Sequence, residues 1–312
     1  MSPETRNPTS ASTPASAPAS APAADVIHNI GYRHYDGPRL GRAYARRSLF
    51  VHSLRGAYGL GRTAKSKVLP MILAASMAFP ALIMVAVTVV TGAGELPVAY
   101  TEYALFLQPV VGIFVAAAAP QAVSLDLRFK TTPLYFSRPI ERRDYVSAKY
   151  AALTAALFVF TATPVLLLYV GALLAKLDFT DQTLGFAKGL LFSALFAALH
   201  AGIGLFLAAL TPRRGFGIAT VIAVLTIPYM LVSALQGTAY GQNAPELIGW
   251  LGLGSPGTLM AGFQQAVLGG PSAFPGAVDL TAAEGTGYVL LIAVLIAGTY
   301  ALLLRRYRKA GL

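Results

Sequence analysis

The sequence predicts an all-α membrane protein with six transmembrane helices, both termini on the cytoplasmic side, an amphipathic helix before the first span and a short helical element on the outer face between spans five and six. Three observations predict it. Of 312 residues, 55% are hydrophobic and only 12% charged, where a soluble domain carries about 25% charged. The charges are bunched, leaving uncharged windows that reach the roughly 20 residues a helix needs to cross a bilayer. Lysine and arginine collect in every second connection, as the positive-inside rule requires.

Taking the elements in order, residues 1–24 form a Ser/Pro/Ala tract that cannot bury enough apolar surface to fold and is expected to be a disordered tail. It lacks the apolar core of a signal peptide, so insertion falls to the first span. Residues 25–67 form a basic, aromatic cytoplasmic segment containing Arg33, Arg39, Arg42, Arg46, Arg47, Arg55, Arg62, Lys65 and Lys67. Within it, Leu40, Ala43, Tyr44, Phe50, Val51, Leu54, Ala57 and Tyr58 fall within an arc of about 140° on a helix. Arg42 and Arg46 take the polar side, while Arg47 and Leu49 break the pattern. A basic amphipathic helix just before a span fits one lying in the membrane interface; a solvated helix packed on a partner is the alternative.

The six-span domain occupies 68–312, with spans expected at about 68–90, 103–125, 150–175, 189–210, 215–235 and 286–304. A seventh apolar window, Leu247 to Val278, holds eight glycines and three prolines, too broken for a full crossing. Ser255 and Pro256 suit an N-cap and first helical position, and Leu259, Met260, Phe263 and Val267 share one face. A short helix there would dip into the outer face or lie on it. Charge confirms the count: six spans leave 22 of the 24 Lys and Arg in cytoplasmic segments, with only Lys176 and Lys188 outside. A seventh span would carry Arg305, Arg306, Arg308 and Lys309 to the wrong side. Because the basic residues flank membrane segments, the net charge of +11 does not indicate a nucleic-acid partner.

Two glycine patterns imitate nucleotide sites. The run Gly59 to Ser66 nearly fits G-x-x-x-x-G-K-[ST], but Ala64 replaces the second glycine and a span follows in place of a βα unit. The run Gly252 to Gly257 matches G-x-G-x-x-G by spacing alone. The absence of cysteine excludes disulfides and thiolate chemistry, and no metal-ligand set stands out. His200 is the one ionisable residue inside the expected spans. It is a functional candidate because intramembrane ionisable groups are expensive, although such a histidine can also simply bond a neighbouring helix. No catalytic constellation emerges, which argues against an enzyme.

The loop from Ser124 to Tyr150 is too long and aromatic for a simple connector. Phe129, Tyr135 and Phe136 stand beside Arg128, Lys130, Arg138, Glu141, Arg142, Arg143 and Asp144. Pro139 suits a first helical turn, with Glu141 near its positive end. The composition fits docking to a protein partner and equally fits positively charged flanking sequence. The run from Pro133 to Lys149 resembles the corresponding loop of ABC-2 type transporter permeases, and Ile30 to Arg42 is similar to that of actinobacterial members. The likeness extends over most of residues 27–312.

The resemblance implies an elbow helix at Leu40 to Tyr58 and a coupling loop in which Tyr135, Phe136, Arg138, Pro139, Glu141, Arg142, Arg143 and Asp144 meet a separate ABC ATPase subunit. It implies a second permease copy, homodimeric or related, and a place in the plasma membrane as part of an exporter. This chain would bind no cofactor, with ATP and Mg on the partner ATPase. Spans two and five would line the path, making Gln108, Pro109, Tyr229 and Gln236 candidate path residues beside His200. A stand-alone secondary carrier or channel is the competing reading.

Overall fold

Long apolar runs free of strand-like alternation make helices, and the computed structural model of the protein, which describes residues 37, 40–129, 135, 140–211 and 213–310, is helical apart from the connections between its elements, with no strand among the described residues. The elements are α1 (Arg42–Ala57), α2 (Ala64–Thr91), α3 (Tyr103–Phe106), α4 (Gln108–Arg128), α5 (Arg142–Leu174), α6 (Phe179–Leu210), α7 (Arg214–Gly241), α8 (Pro245–Leu251), a 3₁₀ turn (Gly252–Gly254), α9 (Pro256–Leu268), a second 3₁₀ turn (Pro275–Ala277) and α10 (Ala282–Ala310). Among the described residues six helices are long and apolar enough to cross a membrane: α2, α4, α5, α6, α7 and α10. The six-span all-α class is therefore what the chain adopts. Residues 1–36 lie outside the described residues.

The helices run past the uncharged windows. The third span is carried by a helix that starts at Arg142 and the fourth by one that starts at Phe179. Charged residues end an apolar window without ending a helix, because their side chains can reach water or a partner while the backbone ladder continues. The second span instead begins with a break, the one-turn α3 meeting α4 at Leu107.

Burial divides the spans. α6 and α4 are the most enclosed, and α2, α7 and α10 the least. α6 packs along α5, and α4 lies against both α6 and α7. The close approach uses small residues: a Cβ on Gly202 would strike Tyr150 and Thr299, and one on Gly204 would strike Val115. Small-residue contacts of this kind drive helix association where lipid is as apolar as the side chains. The central layer of Phe114, Phe160, Phe192, Phe196, Leu157 and Leu168 is fully buried.

Between α7 and α10 the chain re-enters the bundle. α8 turns back along the end of α7, the 3₁₀ turn reaches Val232, and α9 climbs back beside α10. Val232 lies nine residues before the end of α7 at Gly241, so the hairpin dips by roughly 13 Å. The expected outer-face element thus dips between the spans. Every residue of α9 from Gly257 through Gln264 is buried. Backbone breaks at such depth need partners within the protein, and they have them. Gln236 donates to the Ile248 carbonyl at 2.9 Å, Thr258 Oγ1 to the Gly252 carbonyl at 2.8 Å, and the Tyr288 hydroxyl to the Gly249 carbonyl. Ser255 caps α9, its Oγ accepting from the Thr258 N–H at 3.2 Å.

Candidate functional site

At the basic end of the bundle, where α1, the end of α4, the start of α5 and the end of α10 meet, charged and aromatic side chains join helices far apart in sequence. α5 starts here because Glu141 is an extended N-cap and Asp144, at the third helical position, accepts the Glu141 N–H at 3.2 Å. Carboxylates in a first turn also face the positive end of the helix dipole. Arg42 on α1 closes this start: its Nε lies 2.5 Å from Asp144 Oδ2 and its Nη1 bonds Glu141 Oε1. The Asp144 and Glu141 carboxylates, Asp144 foremost, raise the Arg42 pKa above its already high ordinary value. One guanidinium thereby ties α1 to the first turn of α5.

One and two turns further along, α5 is tied to α4 and α10. Lys149 Nζ sits 3.1 Å from Asp126 Oδ2, and both side chains are largely buried. The Tyr145 hydroxyl donates to the same Asp126 oxygen. The Tyr145 ring touches Tyr307 of α10 (centroids 5.0 Å) and Tyr135 of the preceding loop (5.4 Å), and Lys149 Nζ lies 5.4 Å from its centre. A buried ion pair is stable only when further hydrogen bonds and good geometry offset desolvation, and Tyr145 supplies one. The far end of α1 is clamped too. Tyr58 donates to the Ala156 carbonyl at 2.7 Å, and Gln121 to the Gly56 carbonyl at 3.3 Å. Ser124 reaches the Ala208 carbonyl at 2.8 Å and Arg306 the Ala209 carbonyl at 3.3 Å, bringing α6 into the same joint.

Of the loop residues singled out in the sequence, Phe136, Arg138 and Pro139 lie outside the described residues. Tyr135, Glu141, Arg142, Arg143 and Asp144 are brought together around the start of α5. Asp144 is buried and Arg143 exposed; Arg142 is half-buried. Ile140, Glu141, Arg142, Arg143 and Arg308 border a shallow hollow of about 390 Å³. Among the described residues the titratable groups that converge here, Lys149, Asp126 and Tyr145, are spent on one another. Chemically the arrangement can bind an acidic or aromatic protein surface and pass displacement of α5 into α1, α4 and α10.

The candidate path residues divide between the hairpin and the spans. Gln108, at the start of α4, is buried against Gly257 of α9, and Gln236 is buried in its bond to Ile248, so both brace the re-entrant hairpin. Tyr229 is 41% exposed on α7. His200 is buried in α6, its Nδ1 2.9 Å from the Phe196 carbonyl and its ring stacked on Phe196 at 3.9 Å. Among the described residues its Nε2 has no partner.

Sequence reasoning missed Asp126, Lys149, Tyr145 and Tyr307 as a unit, and placed Arg42 only on a polar helix face. The available signal was an acid at the end of one span and a lysine at the start of the next, which antiparallel packing must bring level. Leu49, which breaks the amphipathic arc, is buried, whereas Tyr44 and Val51 of that arc are exposed. The helix buries one flank on α5 and leaves the other open.

Compared with known sequence families, residues 72–253 match the family described as ABC-2 family transporter protein, more than half of the chain. No curated protein matches the chain.

Proposed function

The chain belongs to the ABC-2 transporter family, and on that premise we propose that it is the permease subunit of an exporter whose ATP hydrolysis occurs on a separate ABC ATPase subunit. The ATPase docks at the start of α5 and the loop before it, where Tyr135, Phe136, Arg138, Pro139, Glu141, Arg142, Arg143 and Asp144 lie in sequence. The observation that carries this reading is the joint itself. A push on the first turn of α5 meets Arg42 of α1, Asp126 of α4 and Tyr307 of α10 at once. Packed side chains of this kind move as a body, because close-packed interiors transmit strain. The permease needs no catalytic residue; ATP and Mg belong to the partner.

The basic end faces the cytoplasm, on charge, and the hairpin end faces outward. The membrane is the plasma membrane. The exposed apolar faces of α2 and α7 meet lipid and a second permease copy. Of the polar path candidates Tyr229 is the one turned toward the path between copies, while Gln108, Gln236 and His200 are buried behind it. Affinity purification of the full chain tests the reading. The wild type should retain an ABC ATPase subunit, and the R142E/R143E variant should lose it while keeping its helical signal. Retention of the ATPase and undiminished transport by that variant would sink the assignment.

A further inference from the structure

The flank of α1 turned away from α5 carries a second site. From Leu40 to Lys67 the chain has seven Lys and Arg and no Asp or Glu. Among the described residues Arg42 is the one of these cations held in a salt bridge. Arg47, Arg55 and Arg62, all exposed, instead border a cleft of about 450 Å³ between α1 and the α1–α2 turn, together with His52. The turn is fixed: Gly59 has φ +68°, and a Cβ there would collide with the Ser66 carbonyl, so only glycine fits without strain. The cleft is amphiphilic. Val51 and Leu60 line it and are exposed. Directly past the turn, α2 opens with the exposed apolar residues Val68, Leu69 and Ile72.

We infer that this cleft binds the headgroup of an anionic phospholipid, its phosphate held by Arg47, Arg55 and Arg62 and its acyl chains running along the start of α2. Several unpaired guanidiniums in one concavity recognise phosphate oxygens, and basic pockets beside spans at the cytoplasmic face suit acidic lipid headgroups. The adjoining apolar surface separates this ligand from free phosphate, which would gain nothing from Val51, Leu60 or α2. The inference rests on the cytoplasmic placement of α1 but not on ATPase docking, which is proposed at the start of α5.

The test is native mass spectrometry of the full-length chain released from nanodiscs of about one part phosphatidylglycerol to three parts phosphatidylcholine, where R47Q/R55Q/R62Q should retain phosphatidylglycerol roughly tenfold less than wild type. R47K/R55K/R62K, which preserves charge, should retain most of it and shows that the site is not lost to misfolding. R305Q/R308Q/K309Q, which removes equal charge from the end of α10, should bind as wild type. Equal loss in both glutamine variants would overturn the inference in favour of diffuse surface charge. Displacement of the lipid by millimolar inorganic phosphate would overturn it in favour of a soluble anion. Undiminished lipid binding by R47Q/R55Q/R62Q with loss of ATPase co-purification would overturn it in favour of a protein interface.

Discussion

The two ends of the bundle solve the same problem in opposite ways. Each must hold irregular chain against the spans. The basic end does so with charge: Arg42 across Glu141 and Asp144, and Lys149 with Tyr145 on Asp126. The opposite end secures its re-entrant hairpin almost without charge. Gln236 and Tyr288 capture backbone carbonyls, and glycines let side chains lie directly on the chain. The difference bears on where, under the proposed function, movement would be passed on. The charged joint links helices from four parts of the sequence and lies where a partner can reach it. The hairpin is sealed among α6, α7 and α10, and its bonds tie it to its immediate neighbours.

The comparison can be broken most severely at the joint. Lys149→Met removes the ammonium 3.1 Å from the Asp126 carboxylate and should cost up to about 3–5 kcal/mol, read as a lower unfolding midpoint in detergent. Adding Asp126→Asn, which still accepts from Tyr145, should recover most of that loss. If the double variant is no more stable than the single, the ion pair is not what holds α4 to α5. At the opposite end, Gly262→Leu drives a side chain into the Tyr288 ring and should cost about 1–3 kcal/mol through overpacking. Its unfolding midpoint should fall while ATPase co-purification stays at the wild-type level; loss of the ATPase would erase the distinction between the ends. The smallest effect belongs to Arg42→Gln. Because Arg42 and Glu141 are both half-exposed to water, and Asp144 keeps its bond from the Glu141 N–H, the midpoint should move little, yet amide exchange over α1 should quicken as its tie to α5 is cut. Unchanged exchange would show that Tyr58 and Leu49 hold the helix alone.

Much of this architecture was legible in the sequence because hydrophobic length and charge bias act locally. The six spans follow from runs of apolar residues, and Ser255-Pro256 marks the start of α9 as an N-cap followed by Pro should. What was not legible depends on pairs. Nothing near Arg42 in sequence points to Glu141 and Asp144 about a hundred residues away. The dip of the hairpin likewise depends on Gln236, which the sequence offered only as a path candidate, and on Tyr288, which alone reads as an ordinary polar residue in a span. Leu49 escaped because the flank of α1 that packs on α5 is not the centre of its apolar arc, whose Tyr44 and Val51 stay exposed. The loop reads as a docking surface only through the aromatic and charged residues that flank α5, and the joint behind it emerges only in three dimensions.

The central claim is that the ATPase engages the protein at the start of α5. Because the chain has no cysteine, a single one can be placed at Arg143, and another, in a separate variant, at the exposed Glu246 on the opposite end. Labelling of each by a water-soluble maleimide, with and without the co-purifying ATPase subunit, measures the contact directly. The account predicts strong protection at 143 and none at 246. Equal labelling at 143 with and without the ATPase would contradict it.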